Sequence, residues 1–218
     1  MKWLCAVLLL FVASFALAED AVFADDLSSI GFWGGPRVGL TVIDGQFGML
    51  VGGRGLMTLN RHLSVGGAGW NLVTNVESKP QIEEYDNITL TYGGFLIEYI
   101  AGSERAAHVT TGLLLGGGSF SFRNQMFGSN DEWYDRTDQI FVVEPHLSLE
   151  LNMTRFFRID ISGAYRFAID VDFEPYEMKD ISGPTMGVFF KFGYDFQESD
   201  WELLEELFED EDDDFEDD

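Results

Sequence analysis

The chain contains few of the residues that cross-link a protein or give it positive charge. It has one cysteine, Cys5, in 218 residues, and a single thiol cannot form a disulfide within the chain. Lysine and arginine total 13 against 38 aspartates and glutamates, which gives a formal net charge of −25 at pH 7. Proteins that bind nucleic acid need lysine and arginine clusters to neutralise phosphates, and the sequence has no such cluster. We therefore expect no nucleic-acid partner.

Long apolar runs are also missing beyond the N-terminus. A membrane-spanning helix needs about 20 apolar residues, and the run from Leu4 to Phe15 is shorter than that. This run follows Lys2 and precedes Ala16–Ala18, a small-x-small pattern typical of a cleaved secretory signal peptide. We predict that residues 1–18 are removed on export and that residues 19–30 form a lead segment. A mature chain that enters a membrane would then cross it as strands.

Apolar and polar residues alternate with a period of two from Phe32 onward, which is typical of β-strands. In segment 141–151, acids, His146 and Ser148 take one face, while leucine, valine and phenylalanine take the other. Segment 157–167 repeats the pattern, and six further segments are weaker or rich in glycine. Each segment has the roughly 9–11 residues that a tilted strand needs to cross a bilayer. The sequence therefore predicts eight strands within residues 31–196.

The connections between these segments alternate in length. Tight turns are predicted around Asn60–Arg61, Gly102–Arg105 and Asn152–Thr154, whereas the long connections are Asn75–Asn87, Arg123–Asp138 and Ile169–Ile181. Asp44-Gly45, a hairpin turn signal, is the one short connection on the long-loop side. Short inner turns and long outer loops are typical of outer-membrane barrels. We predict an all-β, antiparallel, up-and-down transmembrane barrel in the bacterial outer membrane, with both termini in the periplasm.

The polar face of the predicted strands carries a nearly balanced set of charges. These are Arg37, Arg54, Glu98, Glu144, Glu150, Arg158, Asp160, Arg166 and Lys191. A closed interior must balance its charges, since an unpaired buried charge is costly, whereas a water-facing surface need not. We therefore expect these side chains to form a charge network in the lumen, with the apolar face turned to lipid. A soluble, lipocalin-like ligand-binding barrel would place the two faces the other way round.

The segment from Gly31 to Phe196 resembles small eight-stranded outer-membrane barrels of Gram-negative bacteria. The likeness depends on the architecture, on Gly31–Pro36 and Val51–Gly55, and on the aromatic-rich final strand Val188–Phe196. The runs Gly31–Pro36 and Val51–Gly55 resemble those of uncharacterised members, for which no activity is known. The resemblance implies embedding in outer-membrane lipid and recognition of the final strand by the outer-membrane insertion machinery. The acidic extension after Phe196 departs from the family pattern.

One motif raises the question of catalysis. His146-Leu147-Ser148 is similar to the His-x-Ser pair of lipid A deacylases, which also use a glutamate. The pair shares its face with Glu144 and Glu150, away from lipid, and its spacing offers no relay from a base to the serine. The loop acids Asp170, Asp172, Glu174 and Glu177 lack the spacing of an EF-hand calcium loop, and so a solvated acidic loop is expected, with weak calcium binding as the alternative. We predict no enzyme activity, no cofactor and no metal site.

Residues 197–218 form a separate acidic tail. It contains a short amphipathic pattern from Trp201 to Phe208, which predicts a short C-terminal helix, and then an almost wholly acidic, disordered run. We expect this helix to dock a periplasmic partner or the barrel rim, or the tail to remain solvated. The predicted function is a structural or surface-interaction role, with Phe127, Trp133 and Tyr134 as contact residues in an outer loop. A narrow pore and a lipid A-modifying enzyme are the alternatives.

Overall fold

A computed structural model describes residues 29–79, 87–123, 137–171, 174–197 and 200. Its elements in chain order are β1 (Ser29–Ile43), β2 (Gln46–Leu59), β3 (Leu63–Leu72), β4 (Val76–Glu77), β5 (Asn87–Ala101), β6 (Ala107–Arg123), β7 (Thr137–Asn152), β8 (Phe157–Ile169), α1 (Met178–Ile181) and β9 (Gly183–Gln197). Within these ranges no helix is both long and apolar enough to cross a bilayer.

The strands close into a barrel. Each long strand pairs antiparallel with its neighbour along the chain, and β1 pairs with β9 from Ser29↔Gln197 to Thr41↔Thr185. At the remaining gap, β3 pairs directly with β5. The two-residue strand β4 pairs only with the first residues of β5. Eight long strands thus form a continuous wall, and the predicted all-β, eight-stranded barrel is confirmed. Closure removes the sheet edges whose unpaired backbone groups lipid cannot satisfy.

The two ends of the barrel differ as the connection lengths predict. The long-loop end carries the connections that follow β1, β3, β6 and β8, and the short-turn end carries the turns that follow β2, β5 and β7. Asp44 and Gly45 have φ values of 49° and 75°, as a type I′ hairpin turn requires of both central residues. Asn60 and Arg61, with φ values of 49° and 60°, make a similar left-handed turn at the other end. Ser29 and Gln197 also lie at the short-turn end.

Two of the predicted long connections contain structure that the sequence did not indicate. The connection predicted at Asn75–Asn87 includes β4, which pairs with the first residues of β5. The connection predicted at Ile169–Ile181 includes α1, four residues long, with a capping box between Glu177 and Asp180. The predicted signal peptide, residues 124–136 of the connection predicted at Arg123–Asp138, and the predicted tail helix lie outside the described residues.

The outer surface of the barrel is apolar and its interior holds the charged residues. Side chains such as Leu40, Phe47, Leu147 and Met186 point outward with 59%, 81%, 60% and 68% of their surface exposed. A belt this apolar on all sides suits hydrocarbon and not water. The orientation is therefore opposite to that of a soluble lipocalin-like barrel.

The interior has two layers. An apolar cluster fills the half next to the long loops, with members from every long strand, from β4 and from the connection after β8; it includes Ile43, Leu50, Leu90, Phe120, Ile140, Val142, Tyr176 and Ile181. Most buried charges lie in the other half or near the middle. The expectation of an ionic interior therefore fits only the middle and the short-turn half, because apolar packing fills the rest.

Candidate functional site

All nine of the charged residues predicted for the lumen are buried. Their exposed fractions are 3% for Arg37, 5% for Arg54, 0% for Glu98, 1% for Glu144, 0% for Glu150, 8% for Arg158, 0% for Asp160, 0% for Arg166 and 1% for Lys191. Each lies on an inward position of its strand, since successive side chains alternate between the two faces of a sheet. Eight of them form ion pairs with one another, in three groups stacked along the barrel axis.

The middle group is centred on Arg54 of β2. Its Nη1 lies 2.9 Å from Glu98 Oε1 and 3.3 Å from Asp160 Oδ2, and so it joins β5 and β8 across the lumen. Glu98 also lies 3.0 Å from Nε2 of His146. The guanidinium carbon of Arg54 sits 5.1 Å above the ring centroid of Phe189, within the range of a cation–π contact. The group thus crosses the barrel from wall to wall at this level.

The group nearest the short-turn end is centred on Glu150 of β7. Lys191 Nζ donates to one carboxylate oxygen at 2.5 Å, and Arg158 Nη1 donates to the other at 3.3 Å. Nε2 of His108 also lies 3.3 Å from Glu150. Arg158 in turn pairs with Asp195. This chain of charges fills the lower lumen and ends at the short-turn mouth.

The group nearest the apolar half is held by Glu144. Arg37 Nη2 lies 3.7 Å from its carboxylate, and the indole of Trp70 and the hydroxyl of Tyr92 both donate to the same group. Arg37 also stacks on Trp70, 3.3 Å from the ring centroid. Two aromatic donors and one arginine therefore satisfy a carboxylate at the border of the apolar layer.

Arg166 stands apart from these groups. Its guanidinium donates to the backbone oxygen of Ile181 at 2.7 and 3.0 Å, and to Thr41 Oγ1 at 3.2 Å. Within the described residues no carboxylate lies at ion-pair distance from it. Arg166 therefore anchors α1 to the barrel wall and does not belong to the predicted charge network.

The connection between β8 and β9 closes the long-loop end. Tyr176 and Ile181 are 3% and 0% exposed and pack into the apolar cluster. Lys79, which follows β4, donates to Asp180 at 2.6 Å and lies 4.7 Å from the Tyr176 ring centroid. The backbone N–H of Asp44 donates to the Asp180 carbonyl at 2.7 Å. We call this set of contacts the cap; it ties three connections of the long-loop end together.

The charges of the cap reinforce one another. Burial acts to raise the pKa of Asp180, but the hydrogen bond from Lys79 and the Glu177 backbone N–H outweigh it and lower that pKa. Burial acts to lower the pKa of Lys79, but Asp180 and Asp44 outweigh it and raise that pKa. Burial raises the pKa of the Tyr176 hydroxyl to about 12. The Lys79–Asp180 pair is therefore ionised across the neutral range. The Tyr176 hydroxyl is neutral there and accepts a hydrogen bond from the backbone N–H of Lys79.

A polar pocket opens at the short-turn end. It has a volume of about 500 Å³, and its walls include Arg61, Arg155, Arg158, Tyr194, Asp195 and Asp200. Arg158 and Asp195 form its floor, where they continue the charge network. Above this pocket, the ion pairs and the apolar cluster of the described residues occupy the lumen.

The geometry around His146 and Ser148 does not form a catalytic pair. His146 faces Glu98, and Ser148 Oγ donates to the backbone oxygen of Thr110 at 3.5 Å. Both side chains are buried in the lumen, 6% and 3% exposed, with the alternating leucines on the lipid side. In the part of the chain that the structure describes, no three His, Cys, Asp or Glu side chains are placed to hold a metal ion. The predicted contact residues Phe127, Trp133 and Tyr134 lie outside the described residues.

Several residues of the network were not singled out from the sequence. They are Asp195, which pairs with Arg158; Trp33, on which Arg158 stacks; and Trp70 and Tyr92, which bind Glu144. Strand parity could have found the first two, since Asp195 is in phase with Lys191 and Trp33 with Arg37. Trp70 lies in a glycine-rich segment without a charged residue to mark its inward face. Tyr92 stands before a Gly-Gly pair in a segment with weak alternation, and so its direction was not apparent.

Comparison with known proteins gives a likeness of fold. No protein-family model matches the chain, and none of the curated proteins matches it. Among solved structures, Neisserial surface protein A superposes with a TM-score of 0.56 at 10% identity, covering 77% of this chain and 99% of that one. The fold is that of a small outer-membrane barrel. The N-terminal barrel domain of Pseudomonas aeruginosa OprF (TM-score 0.48, 11% identity, 79% and 100% covered) and Ail of Yersinia pestis (TM-score 0.46, 16% identity, 78% and 100% covered) are also similar.

Proposed function

We propose that this chain is an integral protein of the bacterial outer membrane with a structural or surface-interaction role, and that it neither conducts solutes nor catalyses a reaction. The observation that carries the proposal is the filled lumen. Ion pairs cross the barrel at its middle and lower levels, an apolar cluster fills the upper level, and Tyr176 and Ile181 cover that cluster. An interior packed in this way is a stabilising core and not a path for solutes.

The apolar outer belt supports the location. Exposed residues such as Phe32, Phe95, Leu147 and Phe192 would be costly in water but fit hydrocarbon. In barrels of this kind the short turns face the periplasm and the longer loops face outward. On that basis both ends of the barrel chain would face the periplasm, and the insertion machinery would read the aromatic strand β9.

The location is tested by fractionating cell envelopes and comparing boiled with unboiled samples by gel electrophoresis. An outer-membrane barrel stays in the outer-membrane fraction, resists a high-pH wash, and migrates faster before boiling than after it. A chain released into the soluble fraction would instead support a soluble barrel and overturn the proposal.

Conductance is tested by single-channel recording of the refolded protein in planar bilayers. We expect no steady conductance from the wild type, because the ion pairs and the apolar cluster block the axis. Channel openings of constant conductance would contradict the proposal and support the alternative, a narrow pore.

Catalysis on lipid A is tested with Ser148→Ala. Mass analysis of lipid A from cells that express either protein should give identical spectra, since Ser148 faces the lumen and is not paired with His146. Loss of an acyl chain that depends on Ser148 would contradict this.

The proposed surface role places contact at the long loops, where the sequence offers Phe127, Trp133 and Tyr134. Replacing all three by serine should leave the heat-dependent gel shift unchanged and reduce binding of intact cells to host or bacterial surfaces. The control is Met178→Ser, at an exposed residue of α1 on the same end of the barrel, which should change neither the gel shift nor the binding.

A further inference from the structure

We propose that the acidic tail of this chain, residues 201–218, folds back onto the short-turn mouth of the barrel and occupies the arginine-lined pocket there. The interaction surface consists of the pocket, whose walls include Arg61 and Arg155, and of Arg105 on another turn of the same end; we call it the arginine mouth. Its occupant is a segment of the same chain. The contact lies at the mouth of the barrel, and so it does not depend on the filled lumen.

The arginine mouth arises from the turns. Each of the three short turns carries one arginine: Arg61 follows β2, Arg105 follows β5 and Arg155 follows β7. Arg61 pairs with Glu104 of the neighbouring turn at 2.9 Å. Arg105 and Arg155 are exposed, and no acidic side chain in the described ranges lies at ion-pair distance from either. In a chain with 38 acids and 13 bases, two exposed arginines without a carboxylate partner mark a surface that attracts negative charge.

The described end of the chain leads into this surface. β9 ends at Gln197, and both Gln197 and Asp200 line the pocket with Arg61 and Arg155. The carboxylate of Asp200 accepts a hydrogen bond from the backbone N–H of Gln197 at 2.9 Å. Asp200 is therefore an acid of the tail that already lies at the mouth, and the rest of the tail starts there.

Charge and length both favour the same occupant. Residues 198–218 contain 14 aspartates and glutamates and no lysine or arginine. The 18 residues after Asp200 reach at most about 60 Å at roughly 3.3 Å per extended residue, which is more than enough to cross the mouth. Exposed ion pairs are weak one by one, but a short tether holds the tail at an effective concentration in the millimolar range. Contacts too weak to capture a free peptide can therefore hold this one.

The test uses the full mature chain, refolded in micelles or bilayers, with pairs of spin labels. The mature chain is expected to lack cysteine, and so Thr154→Cys at the pocket and Phe208→Cys in the tail can be labelled without further changes. A short, narrow distance distribution is expected, which broadens at 1 M salt, where the Debye length falls to about 3 Å. The control pair Met178→Cys and Phe208→Cys, with one label at the opposite end, should give a long distance throughout.

The arginine dependence is tested with a matched pair of double variants. Arg105→Gln with Arg155→Gln removes the two mouth charges that have no carboxylate partner among the described residues, and Arg123→Gln with Lys179→Gln removes two charges at the long-loop end. The first variant should lose the short distance, and a protease that cuts after glutamate should cleave its tail roughly fivefold faster, as expected for the loss of a few ion pairs. The second should behave as the wild type does. Retention of the gel shift shows that both variants fold.

Three results would overturn the proposal. One is a tail label that stays mobile in the wild type or is unaffected by the loss of Arg105 and Arg155. Another is a short distance that disappears on dilution with unlabelled protein, because the tail then contacts a second copy. The third is a loss of bound anionic phospholipid in the mouth variant with no change in the tail label, which would assign the arginines to lipid headgroups.

Discussion

The indole N–H of Trp33 donates to the carboxylate of Asp195 at 2.7 Å, across 162 positions of the sequence. Trp33 lies in the first strand and Asp195 in the last, and so this contact crosses the seam at which the barrel closes. Arg158 joins it from β8, with its guanidinium carbon 3.6 Å from the Trp33 ring centroid. The seam therefore has a side-chain lock in addition to its backbone ladder.

Trp33→Phe is expected to weaken this lock without opening a large cavity. The change removes the hydrogen bond to Asp195 and part of the surface on which Arg158 stacks, and so the free energy of unfolding should fall by about 1–3 kcal/mol. Equilibrium urea unfolding in micelles measures the change, and Phe32→Leu, on the outward neighbour, is the control with little expected effect. A value for Trp33→Phe equal to the control would mean that the backbone ladder alone holds the seam.

Glu150→Leu is expected to be among the most destabilising changes in the lumen. Lys191 and Arg158 both donate to Glu150 in a site where that carboxylate is 0% exposed. Removing it leaves a buried lysine without its partner, at a cost of about 3–5 kcal/mol. The matched control is Glu104→Leu, which removes an ion pair whose glutamate is 78% exposed and should cost about 0–1 kcal/mol. Urea midpoints of the two variants should therefore separate clearly, and equal midpoints would show that the network contributes little.

The strand period made much of this interior predictable, but not all of it. Segments in which charged and apolar residues alternate strictly, such as 157–167, reveal their inward face directly. Runs such as Leu113–Leu115 and Phe141–Val143 are apolar on both faces, and so the period could not indicate that Leu114 and Val142 fill the lumen. The apolar layer therefore emerged only from the structure.

The contacts of the cap could not be predicted from the sequence for a related reason. Its contacts join Lys79, Asp180 and the backbone of Asp44, which lie in three different connections. Loop residues carry no period, and nothing in the sequence relates one loop to another. Strand pairing fixes which connections share an end of the barrel, but only the folded structure shows which side chains meet there.

The cap should respond to pH in a direction set by its two charged groups. The pKa of Asp180 is lowered, and so its contribution is present above the ordinary carboxyl pKa and is lost as pH falls through the folded value. The pKa of Lys79 is raised, and so its contribution is present below the ordinary lysine pKa and is lost as pH rises through the folded value. A spin label at Met178→Cys should therefore be least mobile around neutral pH and more mobile at both extremes. In Asp180→Asn the acid limb should disappear; mobility that still rises in acid would place its cause elsewhere.

Tyr176 provides an optical check on the same cap. Burial raises the pKa of its hydroxyl to about 12, whereas an unperturbed tyrosine titrates near about 10. Subtracting the alkaline absorbance titration of Tyr176→Phe from that of the wild type should isolate one late-titrating phenol. The raised value also means that this residue's contribution to stability is lost as pH rises above about 10. A difference curve centred near 10 would show that the Tyr176 ring is open to water.

The glycines of the wall should divide into two classes according to the face they occupy. A Cβ at Gly116, on the inward face of β6, would overlap the backbone oxygen of Gly93 and lie 2.5 Å from the Cα of Gly94, whereas a Cβ at Gly163 of β8 would meet nothing within 4 Å. Gly116→Ala should therefore force the β5–β6 pairing apart and cost about 1–3 kcal/mol. Gly163→Ala should be neutral or stabilising by about 0.4–1 kcal/mol, because it restricts the unfolded chain. Urea unfolding compares the two identical chemical changes, and equal effects would mean that the close approach of β5 and β6 can relax.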